Sequence, residues 1–218
     1  MSARTGRRAL PSMLLAVLAA GALAGCVSGL HSNEPAPQSY LLDPGPAAVA
    51  PDVTALPDAP APRQSLQVLA PSAAPGLAGD AIAVLRSGAR LDYYRGARWA
   101  ADATAMLQGL TIDALRPAGR FALVEADGGP FAADYVLGLE LRHFEAQYRD
   151  DGPPTVHVTL IASFGRRNAG EPATSVIADS EVRAQDNRMQ AVVAAFGQAT
   201  GEALRKVVAA VAALPPDR

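Results

Sequence analysis

Proline is unevenly spread along this chain of 218 residues, and its distribution decides where a fold can form. Eight of the eighteen prolines fall within residues 27–64: Pro35, Pro37, Pro44, Pro46, Pro51, Pro57, Pro60 and Pro62. Proline has no N–H to give to a ladder, so it is excluded from the interior of a sheet. The residues between are mostly Ala, Ser, Asp and Val, which bury too little to offset the entropy of ordering. The stretch is predicted to be an extended tether, advancing about 3.1 Å per residue where it is polyproline-like. A globular domain is thereby confined to residues 65–214, with 215–218 as a short tail. One apolar triplet, Tyr40-Leu41-Leu42, interrupts the tether and is predicted to dock as an edge strand.

Residues 1–25 have a different character. Arg4, Arg7 and Arg8 form a cationic head without acidic residues, and an uncharged run from Ala9 to Ala24 follows. That run is short for a bilayer span of about 20 residues and has the layout of an export signal. It closes on Leu23-Ala24-Gly25-Cys26, which holds the one cysteine of the chain. The four residues resemble the lipobox of bacterial lipoproteins. The resemblance implies cleavage between Gly25 and Cys26, acyl chains on the thiol and a third on the new amino group. Buried methylenes contribute about 0.8 kcal/mol each, so two or three chains anchor a protein where one holds marginally. Val27 stands where an aspartate would retain a lipoprotein at the inner membrane, so delivery to the periplasmic face of the outer membrane is expected. With no further cysteine, the mature fold cannot rest on a disulfide.

Removing residues 1–25 takes the formal net charge from −2 to −5. A mildly acidic protein without a basic stripe is a poor fit to nucleic acid. No second long apolar segment occurs, so the lipid is the expected membrane attachment.

Within 65–214 the periodicity alternates between 2 and 3.6. Leu66-Gln67-Val68-Leu69 reads as a first strand. Residues 80–86 and 89–94 flank Ser87-Gly88 as a hairpin. Trp99, Ala103, Met106, Leu107, Leu110 and Ala114 then fall at helical spacing, which predicts a helix over 98–116 stopped by Pro117 and Gly119. Gly109 inside it should cost about 1 kcal/mol relative to alanine. A short strand over 121–125 follows, and three longer strands over 135–149, 156–164 and 174–184 are predicted as an antiparallel meander. The last helix is expected to start at Asp186 or Asn187 as N-cap and to end at Pro215-Pro216. The predicted fold class is α/β, a mixed twisted sheet carrying two main amphipathic helices.

Candidate chemistry is sparse. His143 and His157 are predicted to lie roughly opposite each other on neighbouring strands, with Glu145 the convenient carboxylate, but paired polar residues on a wet strand face are commoner than metal sites. No metal or cofactor is therefore expected. Ser163 could be drawn into a triad with His157, yet no G-x-S-x-G elbow is present. No phosphate-binding glycine motif occurs, Arg166-Arg167 reads as an exposed basic turn, and Asp127-Gly128-Gly129 lacks the carboxylates of a calcium loop. An enzyme is not expected. Trp99 is expected in the core, while Tyr94 and Arg98 are candidates for a partner interface.

The order of features then resembles a known family. After the lipobox come Tyr40 to Leu42, the Leu66-Gln67-Val68 strand, Leu91-Asp92-Tyr93-Tyr94 and Arg98-Trp99-Ala100. Leu115 to Phe121 (Leu-x-x-x-Gly-x-Phe), Ala133-Asp134-Tyr135-Val136-Leu137 and Phe144-Glu145 follow. This set, over about 40–214, is similar to the auxiliary lipoproteins of ABC-type transport systems, the family that includes PqiC. The resemblance implies an anticodon-binding-like fold, as in the N-terminal domain of TolB, and a non-enzymatic periplasmic role. It implies as partners an ABC transporter and its MCE-domain (mammalian cell entry) substrate-binding protein, moving lipid between the membranes, and it leaves room for a homo-oligomer. The insert 43–64 is longer than the family pattern. The rival readings are an envelope assembly or secretion adaptor lipoprotein of TolB-like fold, and a periplasmic metal-dependent hydrolase using His143 and His157.

Overall fold

The computed structural model describes residues 36–45, 64–86, 90–149, 151–170 and 174–213. Gly25 and Cys26, the expected export signal, most of the expected tether and the expected tail lie outside the described residues, as does the expected turn at Ser87-Gly88. The chain divides into Met1–Ala36 and Pro37–Arg218, and the second unit holds all the elements below.

Among the described residues nine strands and two α-helices follow in the order β1 (Gln38–Tyr40), β2 (Ser65–Val68), β3 (Ser72–Ala73), β4 (Ala81–Arg86), β5 (Arg90–Trp99), α1 (Ala103–Leu115), β6 (Leu123–Ala126), β7 (Tyr135–Gln147), β8 (Thr155–Arg166), β9 (Thr174–Arg183) and α2 (Met189–Ala212). The fold class is the expected one, a mixed α/β sheet carrying two helices.

β7 is its spine. One edge of this strand is antiparallel to β8, and β8 in turn to β9, which is the expected meander. The other edge takes three short parallel partners in succession: β2 beside Tyr135–Leu137, β3 beside Glu140 and Leu141, and β4 beside residues 145–147. β6 extends the sheet from β2, while β5 and then β1 extend it from β4. No single strand shorter than β7 could gather these pieces, because each covers only a few of its residues.

Burial alternates along the meander and shows which face the helices cover. Even-numbered β8 residues Val156, Val158, Leu160, Ala162 and Phe164 point inward. α2 lies across β8 and β9, α1 against β2 and β6, and the helices touch each other. At the centre Trp99 meets Phe196 of α2 edge-on, with ring centroids 5.1 Å apart, and Phe144 of β7 at 5.6 Å. Tyr135, Phe164 and Phe121 form a second aromatic group at the far end of β7. Such tilted and edge-on pairs add about 0.5–1.5 kcal/mol each beyond their buried area.

A bulge sets the phase of β7. From Tyr135 to Leu141 the odd residues face the core, the register then slips between Leu141 and His143, and from Phe144 onward the even ones do. The extra residue, Arg142, turns outward, so Phe144 and Ala146 are core residues while His143, Glu145 and Gln147 share the outer face. Bulges re-aim side chains in this way.

The first helix begins at Ala103, not near Arg98. Trp99 had the right spacing for a helix, but its N–H donates to the Asp80 carbonyl at 2.7 Å and the next amide to Tyr40 at 2.8 Å, so the chain is still in a sheet there. β5 reaches Trp99 by looping out near Gly96, whose φ is +71°, while its pairing jumps from Tyr93 to Arg98. The short strand after α1 is β6, later than expected, because Phe121 is drawn into the aromatic group. The N-cap position of α2 is Arg188, not Asp186 or Asn187. Asp186 instead accepts the Arg188 N–H at 2.7 Å and pairs with its guanidinium, closing the turn before the helix.

The triplet in the tether does dock, shifted by two residues. β1 runs parallel to β5, with Ser39 opposite Arg98, and Leu42 is buried beyond it. The following backbone crosses α2 at Gly197. A Cβ there would overlap the Asp43 carbonyl, so only glycine admits this approach.

Candidate functional site

Two surfaces combine exposure with chemistry. The first lies beside β1, where Tyr40, Leu41, Pro44, Val193 and Ala194 line a groove of about 480 Å³ between the docked segment and the first half of α2. Leu41 is the most exposed large apolar residue described, at 75 %. Arg98, one strand away, has its Nε 3.3 Å from Ser39 Oγ and Nη1 3.6 Å from the Asp80 carboxylate. It fastens β1 to the sheet with one side and remains half exposed on the other. Tyr94 is not its neighbour in function. Its hydroxyl is 3.2 Å from that of Tyr148, and burial, reinforced by that hydrogen bond, holds its pKa above the ordinary tyrosine range. The Arg86 guanidinium lies over the Tyr148 ring at 5.2 Å. Tyr94 thus ties β5 to the end of β7, and the two residues singled out together in the sequence turn to different partners.

The second surface is the outer face of β7, β8 and β9. His143 lies opposite Thr159 and His157 opposite Glu145, so the histidines, expected roughly opposite each other, are diagonal neighbours. Their rings stack with centroids 4.3 Å apart and planes 16° from parallel. Glu145 sits beneath them, 4 % exposed. One carboxylate oxygen is 3.0 Å from His143 Nδ1 and 3.8 Å from His157 Nδ1, while the other accepts the Phe144 N–H at 2.7 Å. Gln147 donates to Glu145 at 2.9 Å and lies 3.2 Å from His157 Nδ1.

β9 completes this network with residues that the sequence reading missed. Asp179 Oδ1 is 2.7 Å from His157 Nε2 and accepts the Thr159 hydroxyl at 2.5 Å. The Thr159 hydroxyl and then His157 hold the Asp179 carboxyl below the usual carboxylate range. Farther along, Arg149 grips Glu181 with two hydrogen bonds, of 2.6 and 3.2 Å, which lowers the Glu181 pKa. The signal for Asp179 was available in principle: it is an acidic residue on a predicted strand whose odd positions face out.

The remaining sequence candidates fall away from a common site. Ser163 is six residues from His157 on the same strand, roughly 20 Å at about 3.3 Å per residue, which rules out a triad between them. Its hydroxyl instead lies 3.4 Å from that of Ser175. Arg167 is consumed structurally, donating to the Ala133 carbonyl at 3.0 Å and to the Gln67 side chain. Arg166 lies over the Tyr135 ring at 5.4 Å. Trp99 is core, as expected. Among the described residues no helix is long and apolar enough to cross a membrane.

Comparison with known proteins defines the class. The sequence model for the ABC-type transport auxiliary lipoprotein component matches residues 40–208, and this chain belongs to that family. Its first matched residue is Tyr40, the last of β1, so the docked segment is part of the shared domain. Among solved structures, protein XCC0632 from Xanthomonas campestris is similar at 27 % identity and a TM-score of 0.65, covering 81 % of this chain and 92 % of that one. A second, uncharacterized protein shares the fold at 14 % identity and a TM-score of 0.59, covering 81 % and 99 %. No curated protein matches the sequence.

Proposed function

We propose that this chain is an outer-membrane-anchored periplasmic lipoprotein, the auxiliary component of an ABC-type transporter that works with an MCE-domain protein in lipid transfer between the membranes. The observation that carries the reading is the family match over 40–208 placed behind the lipobox-like Leu23-Ala24-Gly25-Cys26. The role is positional. Acyl chains on Cys26 fix one end, the proline-rich stretch gives reach, and the α/β domain holds the partner. The exposed side of Arg98 beside β1 is the surface we assign to that contact, and Tyr94 supports it by bracing β5. Val27 after the lipidated cysteine favours the outer membrane. No catalytic step is required of any residue.

The test is affinity purification of the full chain from detergent extract, beside a Cys26→Ala variant. Recovery of a transporter subunit and an MCE-domain protein by the acylated chain, lost with Arg98→Glu, supports the reading. Recovery of secretion or Tol-type partners in their place would make the chain an envelope adaptor. A Cys26→Ala chain that still fractionates with the outer membrane would remove the anchor from the account.

A further inference from the structure

The cluster on the outer face of β7 to β9 is unused by a positional role, and its construction is unusual for a solvated sheet surface. Glu145 is a carboxylate taken almost wholly out of water. Such a group is stable only with hydrogen bonds and compensating charge. The Phe144 amide and Gln147 supply hydrogen bonds. Among the described residues the side chains within ion-pair distance of it are His143 and His157, each turning Nδ1 toward the same carboxylate oxygen. A buried carboxylate oxygen flanked by two imidazole nitrogens is a converging donor set that one bound cation would fill.

The tautomer of His157 is already chosen for this. Asp179 Oδ1 lies 2.7 Å from Nε2 and also accepts the Thr159 hydroxyl, so Nε2 is the nitrogen placed to donate. Nδ1 is then a lone pair turned toward Glu145, and Gln147 donates to it. A carboxylate behind the far nitrogen of a histidine is the arrangement that orients metal ligands and raises their basicity. His143 is half exposed and can rotate to splay the stacked rings around an ion. One donor atom from each of the three residues lies within 4.8 Å of the others. Two nitrogens and one carboxylate oxygen suit zinc, with bonds of about 2.0–2.1 Å and an open fourth position.

We propose that His143, Glu145 and His157 bind one divalent transition-metal ion, zinc by preference, with Asp179 as the residue that positions His157. The three residues share the sheet face opposite the one that the helices cover, with His143 half exposed. This inference stands independently of the transport reading.

The experiment uses the full chain, expressed without a histidine tag and purified in detergent, titrated with Zn²⁺ by calorimetry and with Co²⁺ for its visible spectrum. One equivalent should bind, with a tetrahedral Co²⁺ spectrum. Asp179→Asn should weaken affinity by about 10- to 100-fold, as loss of an orienting carboxylate does elsewhere. His143→Ala should abolish the Co²⁺ spectrum while the far-ultraviolet circular dichroism is unchanged. His143 is half exposed, so this variant keeps the test sound even if Glu145→Gln fails to fold. No binding under metal excess, or binding whose affinity is the same in His143→Ala and Asp179→Asn, would overturn the proposal.

Discussion

The two faces of β7 use adjacent residues for opposite ends. Phe144 points inward and closes an apolar group with Trp99 and Phe196, while Glu145, its neighbour, points outward beneath two histidines. The inner face is held by non-directional burial, which tolerates any side chain of the right volume and shape. The outer face near Glu145 is held by directional bonds, each of which needs one partner at one distance. Both depend on the bulge at Arg142, since unbroken alternation from Leu141 through Arg142 would turn His143 and Glu145 into the core. A one-residue change of register exchanges the faces of a strand.

The largest effect should come from the inner face. Phe144→Ala removes a fully buried ring and should cost about 3–5 kcal/mol, read as a lower midpoint in urea with an unchanged slope. A loss under about 1 kcal/mol would mean that the aromatic group is loosely packed. Next is Gly197→Ala, where the added methyl has no room beneath the Asp43 carbonyl. It should cost about 1–3 kcal/mol and expose residues 40–45 to proteolysis, separating the docked segment from the rest. Gly109→Ala should act in the opposite direction. A Cβ there meets nothing within 4 Å, so the helix should gain about 1 kcal/mol and the melting temperature should rise.

On the outer face His143→Ala should cost about 0.5–1.5 kcal/mol in metal-free buffer, since Glu145 loses one partner while Gln147 and the Phe144 amide remain. A larger loss would show that the histidine stack supports the fold. The smallest effect is with pH. The Asp179 carboxyl is depressed in the folded state by Thr159 and then His157. Its contribution is complete above the unfolded value near 3.9, and it is lost as pH falls through the lower folded value. Asp179→Asn should therefore flatten the acid limb of a stability–pH curve by lowering stability at neutral pH, with the variant and the parent converging at acid pH below the folded value.

Much of this architecture was legible because it rests on short-range patterns. Period-2 alternation gave the β7–β9 meander, since one face is wet and the other packed. The tyrosine-leucine triplet in a proline-rich stretch marked the docked segment. The start of α1 was misread because Trp99 sits at helical spacing from Ala103 and Leu107, although its burial comes from β5. The sequence could not show that the Tyr40 and Asp80 carbonyls would claim the amides of residues 99 and 100. The histidine site was half legible: strand pairing suggested His143, Glu145 and His157, but Asp179 joins them only through the register of β8 with β9.

The amino-acid sequence by itself carried the lipobox-like Leu23-Ala24-Gly25-Cys26, the proline-rich stretch, the α/β class and the order of the long elements, because each follows from composition or from a period within one segment. Tertiary structure alone decided that β7 would gather three parallel partners, that a bulge would turn Glu145 and His143 outward, and that Gly197 would admit the Asp43 backbone. These depend on contacts between residues far apart in the chain, whose distances no local pattern encodes.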